Sequence, residues 1–332
     1  MLWIEKYRPQ SLREVAGQEQ VVRHLLRFAA GRSLPHLLVT GPHGTGKTAA
    51  IECLAKALYG DGWVENTTVL DATLIFLQGK GSLAADERFA HLYRKDEGLS
   101  ANFKRIVRWY ASMRPLDAEF KILVLEGSHS LPRDIQQALR RTLERYSATC
   151  RFILCTTNPS AIIPAIGSRC LPLSFLPLEG PVILDTLLRI LDAEAPGRRG
   201  DLGEEVELIV HAAGGDLRKA TMLLQILVES GKGPGTAEIA TSETGNIALQ
   251  ALRSMRAGDF AVAERTCESL LIDYGLSGRE ALREIHRAVK QEYHDPRIVE
   301  ILAETDHSLE RAGNEFVQMN AMIARIIQEV FG

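Results

Sequence analysis

Residues 41–48, GPHGTGKT, place three glycines, a lysine and a threonine in the spacing G-x-x-x-x-G-K-[ST]. Glycines in that pattern let backbone N–H groups curl around phosphate oxygens, and a helix starting at the lysine adds its positive dipole end. Lys47 would reach the outer phosphates of a nucleoside triphosphate, and Thr48 would hold Mg²⁺. A second stretch, KILVLEGSHS at 121–130, carries an apolar run into Glu126, followed at once by Gly127. A carboxylate at the end of a buried strand can help hold the same Mg²⁺. Enzymes that split nucleoside triphosphates at such a loop place a second acid next to orient water, and here that position is glycine. Phosphoryl transfer depends on positioning and electrostatics, so its loss predicts slow hydrolysis with binding retained. His129, two residues on, is either a substitute base or a plain surface histidine.

The elements needed to position these groups are legible. HLLVTG (36–41), TTVLDA (67–72), KILVLE (121–126) and FILCTT (152–157) read as short strands. Helical stretches run from Lys47 to Leu58, Ser100 to Ser112 and Pro132 to Tyr146. Strands alternating with helices predict a parallel sheet covered on both faces. Pro172, Pro177 and Pro181 punctuate the end of that unit. From about residue 181 the pattern is helical only, as in VILDTLLRILDAEA, with a loop at 195–203 and a Gly/Pro-rich break, GKGPGTAE, at 231–238. The fold class is therefore α/β plus all-α: a nucleotide-binding sheet domain (1–175), a small helical domain (176–235) and a C-terminal helical domain (236–332).

Composition narrows the class. The chain has 332 residues, 45% of them hydrophobic and 24% charged, as in ordinary globular proteins. No apolar run approaches ~18 residues, so no membrane span is expected. Glu5, Lys6 and Arg8 stand where a signal peptide needs an apolar core, so secretion is not expected either. Five cysteines without CxxC spacing read as reduced thiols. The net charge of −3 hides a gradient: residues 1–175 hold 23 Lys+Arg against 16 Asp+Glu, and residues 176–332 hold 16 against 26. A polyanion would be met by the first part.

Three further polar residues stand out. Arg169, in AIGSRC, is an arginine that could be presented to a neighbour's nucleotide. Asn158 ends FILCTTN, as a polar candidate for the site or as a cap for the following turn. Arg218, in GGDLRKA, faces nucleotide or an acid on its own helix.

Together these pieces resemble the AAA+ clamp loaders, specifically the small subunits of replication factor C of archaea and eukaryotes, nearly end to end. WIEKYRPQSLREVAGQE (3–19) is similar to the family's N-terminal signature, which passes near the adenine and brings in Arg8 and Val15. Gly41, Pro42, His43, Gly44, Thr45, Gly46, Lys47, Thr48 and Ala49 form the phosphate loop, and Glu126 stands at the metal-holding acid. Asn158 matches the first sensor, Arg218 the second sensor on the lid, and Arg169 the arginine finger acting in trans. LLIDYGLSGREALREIHRA (270–288) and NEFVQMNAMIARI (314–326) resemble the family's collar.

The resemblance implies ATP and Mg²⁺ as cofactors, and partner subunits in a hetero-oligomeric, pentameric ring. It also implies a sliding clamp and primer–template DNA as partners, and a location in archaeal cytoplasm by the nucleoid or in a eukaryotic nucleus. Two departures qualify it. EGSH (126–129) replaces an Asp-Glu-Ala-Asp run, which implies a divergent subunit that binds ATP, hydrolyses it weakly and donates its arginine. The segment 83–115 has lost a glycine after Arg88 and gained about ten residues. Its helix sets Lys104 and Arg108 on one face with Arg105 beside them, so Arg88, Lys104 and Arg108 are candidate phosphate contacts for DNA. Arg140 and Arg141 could serve inter-subunit contacts. Two other readings stand beside this one: a self-sufficient AAA+ remodeller working as a homo-oligomer, and a ring member whose nucleotide site is vestigial.

Overall fold

The computed structural model describes residues 1–78, 83, 88–115, 117–230, 243–293, 295–310 and 314–332. The chain divides into two compact units, Met1–Gly231 and Lys232–Gly332. The expected break at 231–238 and residues 84–87 of the insertion lie outside the described residues.

The first unit is built on five strands: β1 (Leu37–Thr40), β2 (Thr67–Asp71), β3 (Lys121–Glu126), β4 (Cys150–Thr156) and β5 (Leu171–Ser174). They pair in the order β2-β3-β4-β1-β5, and every pair is parallel. Side chains alternate between two apolar layers, as a doubly covered sheet requires. Leu38, Leu123, Leu125, Phe152 and Leu154 face one layer. Leu37, Val39, Ile122, Val124 and Ile153 face the other.

Helices α1 (Glu19–Ala30) and α2 (Lys47–Tyr59) cover the second layer with Val21, Leu25, Ile51 and Leu54. Helices α3 (Leu99–Ser112) and α4 (Arg133–Arg145) cover the first with Phe103, Ile106, Ile135 and Leu139. Fully burying each such side chain contributes about 1.5–3 kcal/mol. The sequence reading omitted β5, which carries Pro172. Its place at the sheet edge explains how proline is tolerated. The N–H groups of Leu171 and Phe175 donate to His36 O and Thr40 O, both at 2.8 Å. By alternation the nitrogen of Pro172 points away from β1, where no donor is needed.

Helices α5 (Gly180–Glu194), α6 (Gly203–Ala213) and α7 (Leu217–Ser230) complete the first unit, joined by the expected loop after residue 194. The N-terminal residues tie to this helical group. Trp3 N–H donates to Gln225 Oε1 at 2.8 Å, and Tyr7 OH and Lys6 Nζ both donate to Glu194 Oε1 at 2.6 Å.

The second unit is all helical: α8 (Glu243–Arg256), α9 (Phe260–Ile272), α10 (Gly278–Glu292), α11 (Pro296–Leu309) and α12 (Glu315–Ile326). Its helix starts are written in the sequence. Ser277 and Glu280 form a reciprocal capping box on α10, and Asp295 with Pro296 opens α11. The helices close over Leu252, Leu270, Ile285, Ile301, Met322 and Ile323.

Candidate nucleotide-binding site

A cavity of about 500 Å³ opens at the carboxyl ends of β1, β3 and β4, with residues of α5 and α7 on its far side. Ligands of parallel α/β sheets bind outside those strand ends, where the strand order reverses. β1 has β4 on one side and β5 on the other, so the loop after β1 enters that crevice.

The loop's shape depends on its glycines. Gly44 has φ +68° and Gly46 has φ +92°, and a Cβ on Gly44 would lie 1.7 Å from Asp216 Oδ1. Only glycine fits there, because the start of α7 packs on the loop. Leu217 N–H donates to Gly44 O at 3.2 Å. Lys47 Nζ folds back onto Gly41 O at 2.8 Å and Pro42 O at 2.5 Å. Burial pulls the Lys47 ammonium below its ordinary pKa, and nearby Arg218 pulls the same way while Cys155, Glu126 and Asp216 oppose it. An arriving polyphosphate would reverse that imbalance.

Thr48 Oγ1 donates to Glu126 Oε1 at 2.7 Å, joining the first turn of α2 to the end of β3. A hydroxyl and a carboxylate in contact form an all-oxygen donor pair, which fits Mg²⁺. Gly127, directly after β3, lies in the left-handed region at φ +59°. A Cβ there would fall 1.9 Å from Thr73 Oγ1. Thr73 Oγ1 in turn lies 3.1 Å from Ser130 Oγ.

Of the residues expected from the sequence, Arg8, Val15, His43, Gly44, Thr45, Gly46, Lys47, Thr48, Ala49, Glu126 and Arg218 all line this cavity. Gly41 and Pro42 serve it through their carbonyls. Arg8 is also ion-paired with Glu52 at 2.8 Å. Asn158 sits outside the lining, exposed beyond β4, where its Oδ1 accepts from Ser160 Oγ at 2.6 Å. His129 lines the cavity with Nδ1 3.4 Å from Thr156 Oγ1.

Arg169 is away from the cavity. It is paired with Glu144 of α4 at 2.5 Å and donates to Ala165 O at 2.7 Å. On α3, Lys104 is paired with Asp134 at 2.6 Å, holding that carboxyl below its ordinary pKa. Arg105 is bonded to Glu97, and Arg108 is exposed beside them along a groove. Arg88 lies over the Phe89 ring at 5.2 Å.

Sequence reasoning missed Trp3, Tyr7, Leu178 and Ile190, which supply apolar wall suited to a base, and Asp71 and Thr73 at the polar end.

Two family models match. Residues 17–179 match that of the DNA polymerase III delta subunit, and residues 246–325 match the replication factor C C-terminal domain. A replication factor C small subunit of Methanococcus maripaludis is 34% identical, over 98% of each chain. The chain belongs to the replication factor C small subunit family. A replication factor C small subunit of Aeropyrum pernix is 33% identical over 98% of this chain and 95% of its own. Among solved structures, two mutants of Thermotoga maritima RuvB each reach TM-score 0.51 at 15–16% identity. They cover 89% of this chain and 91% of their own, a likeness of fold alone. This replication factor C small subunit is thus an AAA+ clamp-loader protein with a parallel-sheet nucleotide fold and an all-helical C-terminal unit. No helix among the described residues is long and apolar enough to cross a membrane.

Proposed function

We propose that this chain binds ATP with Mg²⁺ as one subunit of a hetero-oligomeric clamp loader, cleaves it weakly, and donates Arg169 to a neighbouring subunit's site. One observation carries this reading. The phosphate loop, Thr48 and Glu126 are assembled in one cavity, while the next position, Gly127, has its side-chain space filled by Thr73. Lys47 would release Gly41 O and Pro42 O and pair with the outer phosphates, and the base would lie against Val15, Tyr7 and Ile190. Mg²⁺, held by Thr48 and Glu126, would neutralise charge developing on the phosphates. Arg169 lies outside its own chain's cavity, as a residue acting in trans must.

The remaining partners follow from the same reading: other loader subunits in a ring of five, a sliding clamp, and primer–template DNA met by Arg88, Lys104 and Arg108. Those contacts would be to phosphates, so affinity would fall as salt rises. The expected location is the cytoplasm beside the nucleoid.

The test measures ATP binding and single-turnover hydrolysis, for the chain alone and after adding partner subunits, with and without Arg169→Ala. Binding with slow cleavage alone, and slower cleavage by the complex carrying Arg169→Ala, is the expected result. Brisk turnover by the lone chain, unchanged in the complex by Arg169→Ala, would instead favour a homo-oligomeric remodeller. Absence of ATP binding would leave the nucleotide site vestigial.

A further inference from the structure

We infer that Asp71 supplies the carboxylate that position 127 lacks, orienting and deprotonating the water that attacks the terminal phosphate of ATP. The inference rests on the ATP-site reading above and assigns the residue behind its slow hydrolysis. Asp71 is the last residue of β2 and pairs in register with Glu126, the last residue of β3. Neighbours in register on parallel strands lie about 4.8 Å apart and point to the same face. That face is the one bearing α2, where Glu126 meets Thr48. Both carboxylates line the same cavity.

Position 127 itself cannot serve, since Thr73 fills the space where its side chain would begin. One oxygen of Asp71 is engaged locally: Oδ1 accepts the N–H of Leu74 at 3.0 Å and caps the short helix Ala72–Gln78. The other, Oδ2, carries no hydrogen bond among the described residues. The competing base, His129, has one ring nitrogen turned to Thr156 Oγ1, itself bonded to the backbone of Asn158. In the step assigned to Asp71, a lone pair of the water oxygen forms the new bond to the terminal phosphorus. The bond from that phosphorus to the bridging oxygen breaks, and its electron pair leaves on ADP. The water proton passes to Asp71 Oδ2 and then to the phosphate product or solvent. Because Asp71 belongs to the adjacent strand and is partly held by its capping bond, the reaction is slow.

Asp71→Asn keeps the cap, since asparagine caps as well as aspartate, and removes only the charge. The full chain would be tested with fluorescent ATP and ADP analogues for affinity, and with labelled ATP in single turnover. Asp71→Asn is expected to cut the cleavage rate by about 10²-fold. It is also expected to tighten ATP by about threefold or more and leave ADP within about twofold, because the lost charge faces only the terminal phosphate. Asp71→Glu should retain part of the rate. Unchanged cleavage in Asp71→Asn overturns the inference, as does an unchanged ratio of ATP to ADP affinity. So does loss of cleavage on His129→Gln with Asp71→Asn intact, or a wild-type rate no higher than that of Lys47→Ala. Failure of the wild-type chain to bind ATP would overturn the nucleotide reading, and this inference with it. Binding with cleavage independent of Asp71 overturns this inference alone.

Discussion

Thr73 stands where a side chain on Gly127 would begin: a Cβ built on Gly127 falls 1.9 Å from Thr73 Oγ1 and 3.0 Å from Thr73 Cβ. The absence of an acid at 127 is therefore built into the packing around it. Gly127 is also left-handed, at φ +59°, a conformation that costs other residues about 1 kcal/mol. Gly127→Glu should lower unfolding free energy by about 2 kcal/mol or more and fail to raise the hydrolysis rate. Adding Thr73→Ala removes the hydroxyl, so the double mutant should recover part of that loss. Urea unfolding of both singles and the double would measure the coupling. Strictly additive effects would mean the two residues do not compete for the space.

Lys47 gives a different signature. Among the described residues, its ammonium donates to two carbonyls of its own loop. Lys47→Ala should leave thermal stability nearly unchanged and weaken ATP by roughly 10–100-fold, the scale of a lost charge-assisted contact. Glu126→Gln should instead retain nucleotide and reduce the benefit of added Mg²⁺. Fluorescence titration with and without Mg²⁺ distinguishes them.

What was readable in the sequence follows the range of each interaction. The phosphate loop was plain because its glycines, Lys47 and Thr48 act within eight consecutive residues, between a strand and a helix. β3 was read to its exact ends, since both of its faces are buried and the apolar run is unbroken. β5 was hidden by Pro172, whose tolerance depends on an edge position that only pairing with β1 reveals. Asp71 and Thr73 were not legible as site residues. What matters about them is the register of β2 on β3 and the handedness of Gly127, and neither leaves a local pattern. Asn158 was found at the correct strand end, yet its side chain turns to Ser160, a choice no spacing encodes.

Gln136 links the arginine box to the sheet domain. Its buried amide donates to Leu131 O and Ala161 O, both at 3.0 Å, and its Oε1 accepts from Ile163 N–H at 2.9 Å. That fixes α4, which carries Glu144, against the loop leading to Arg169. Gln136→Ala takes this partner from one buried and two part-buried backbone groups and should cost about 2 kcal/mol. In the assembled complex it should also slow a neighbour's hydrolysis in the same direction as Arg169→Ala. The Glu144 pair is exposed and should contribute at most about 1 kcal/mol. Glu144→Ala should therefore spare stability, and any change it makes in the complex's turnover reports on how Arg169 is presented.

Alkaline pH should unfold this protein by way of its thiols. Burial pushes Cys150 from 9.0 up to about 12, and raises Cys170 and Cys267 to about 12 as well. Between those values the unfolded chain loses a proton that the folded chain keeps. Stability therefore falls as pH rises from about 9, with a limiting slope near 1.4 kcal/mol per pH unit for each such thiol. Below pH 9 both states hold the proton and these groups contribute no slope. Cys150 is fully enclosed at the start of β4. Cys150→Ala should cost stability at pH 8 through lost packing, yet lose about 1.4 kcal/mol less than the wild type on going from pH 8 to pH 10. Urea unfolding at the two pH values, under reducing conditions, checks the difference. Parallel losses in both proteins would show that Cys150 ionises in the folded chain as readily as in the unfolded one.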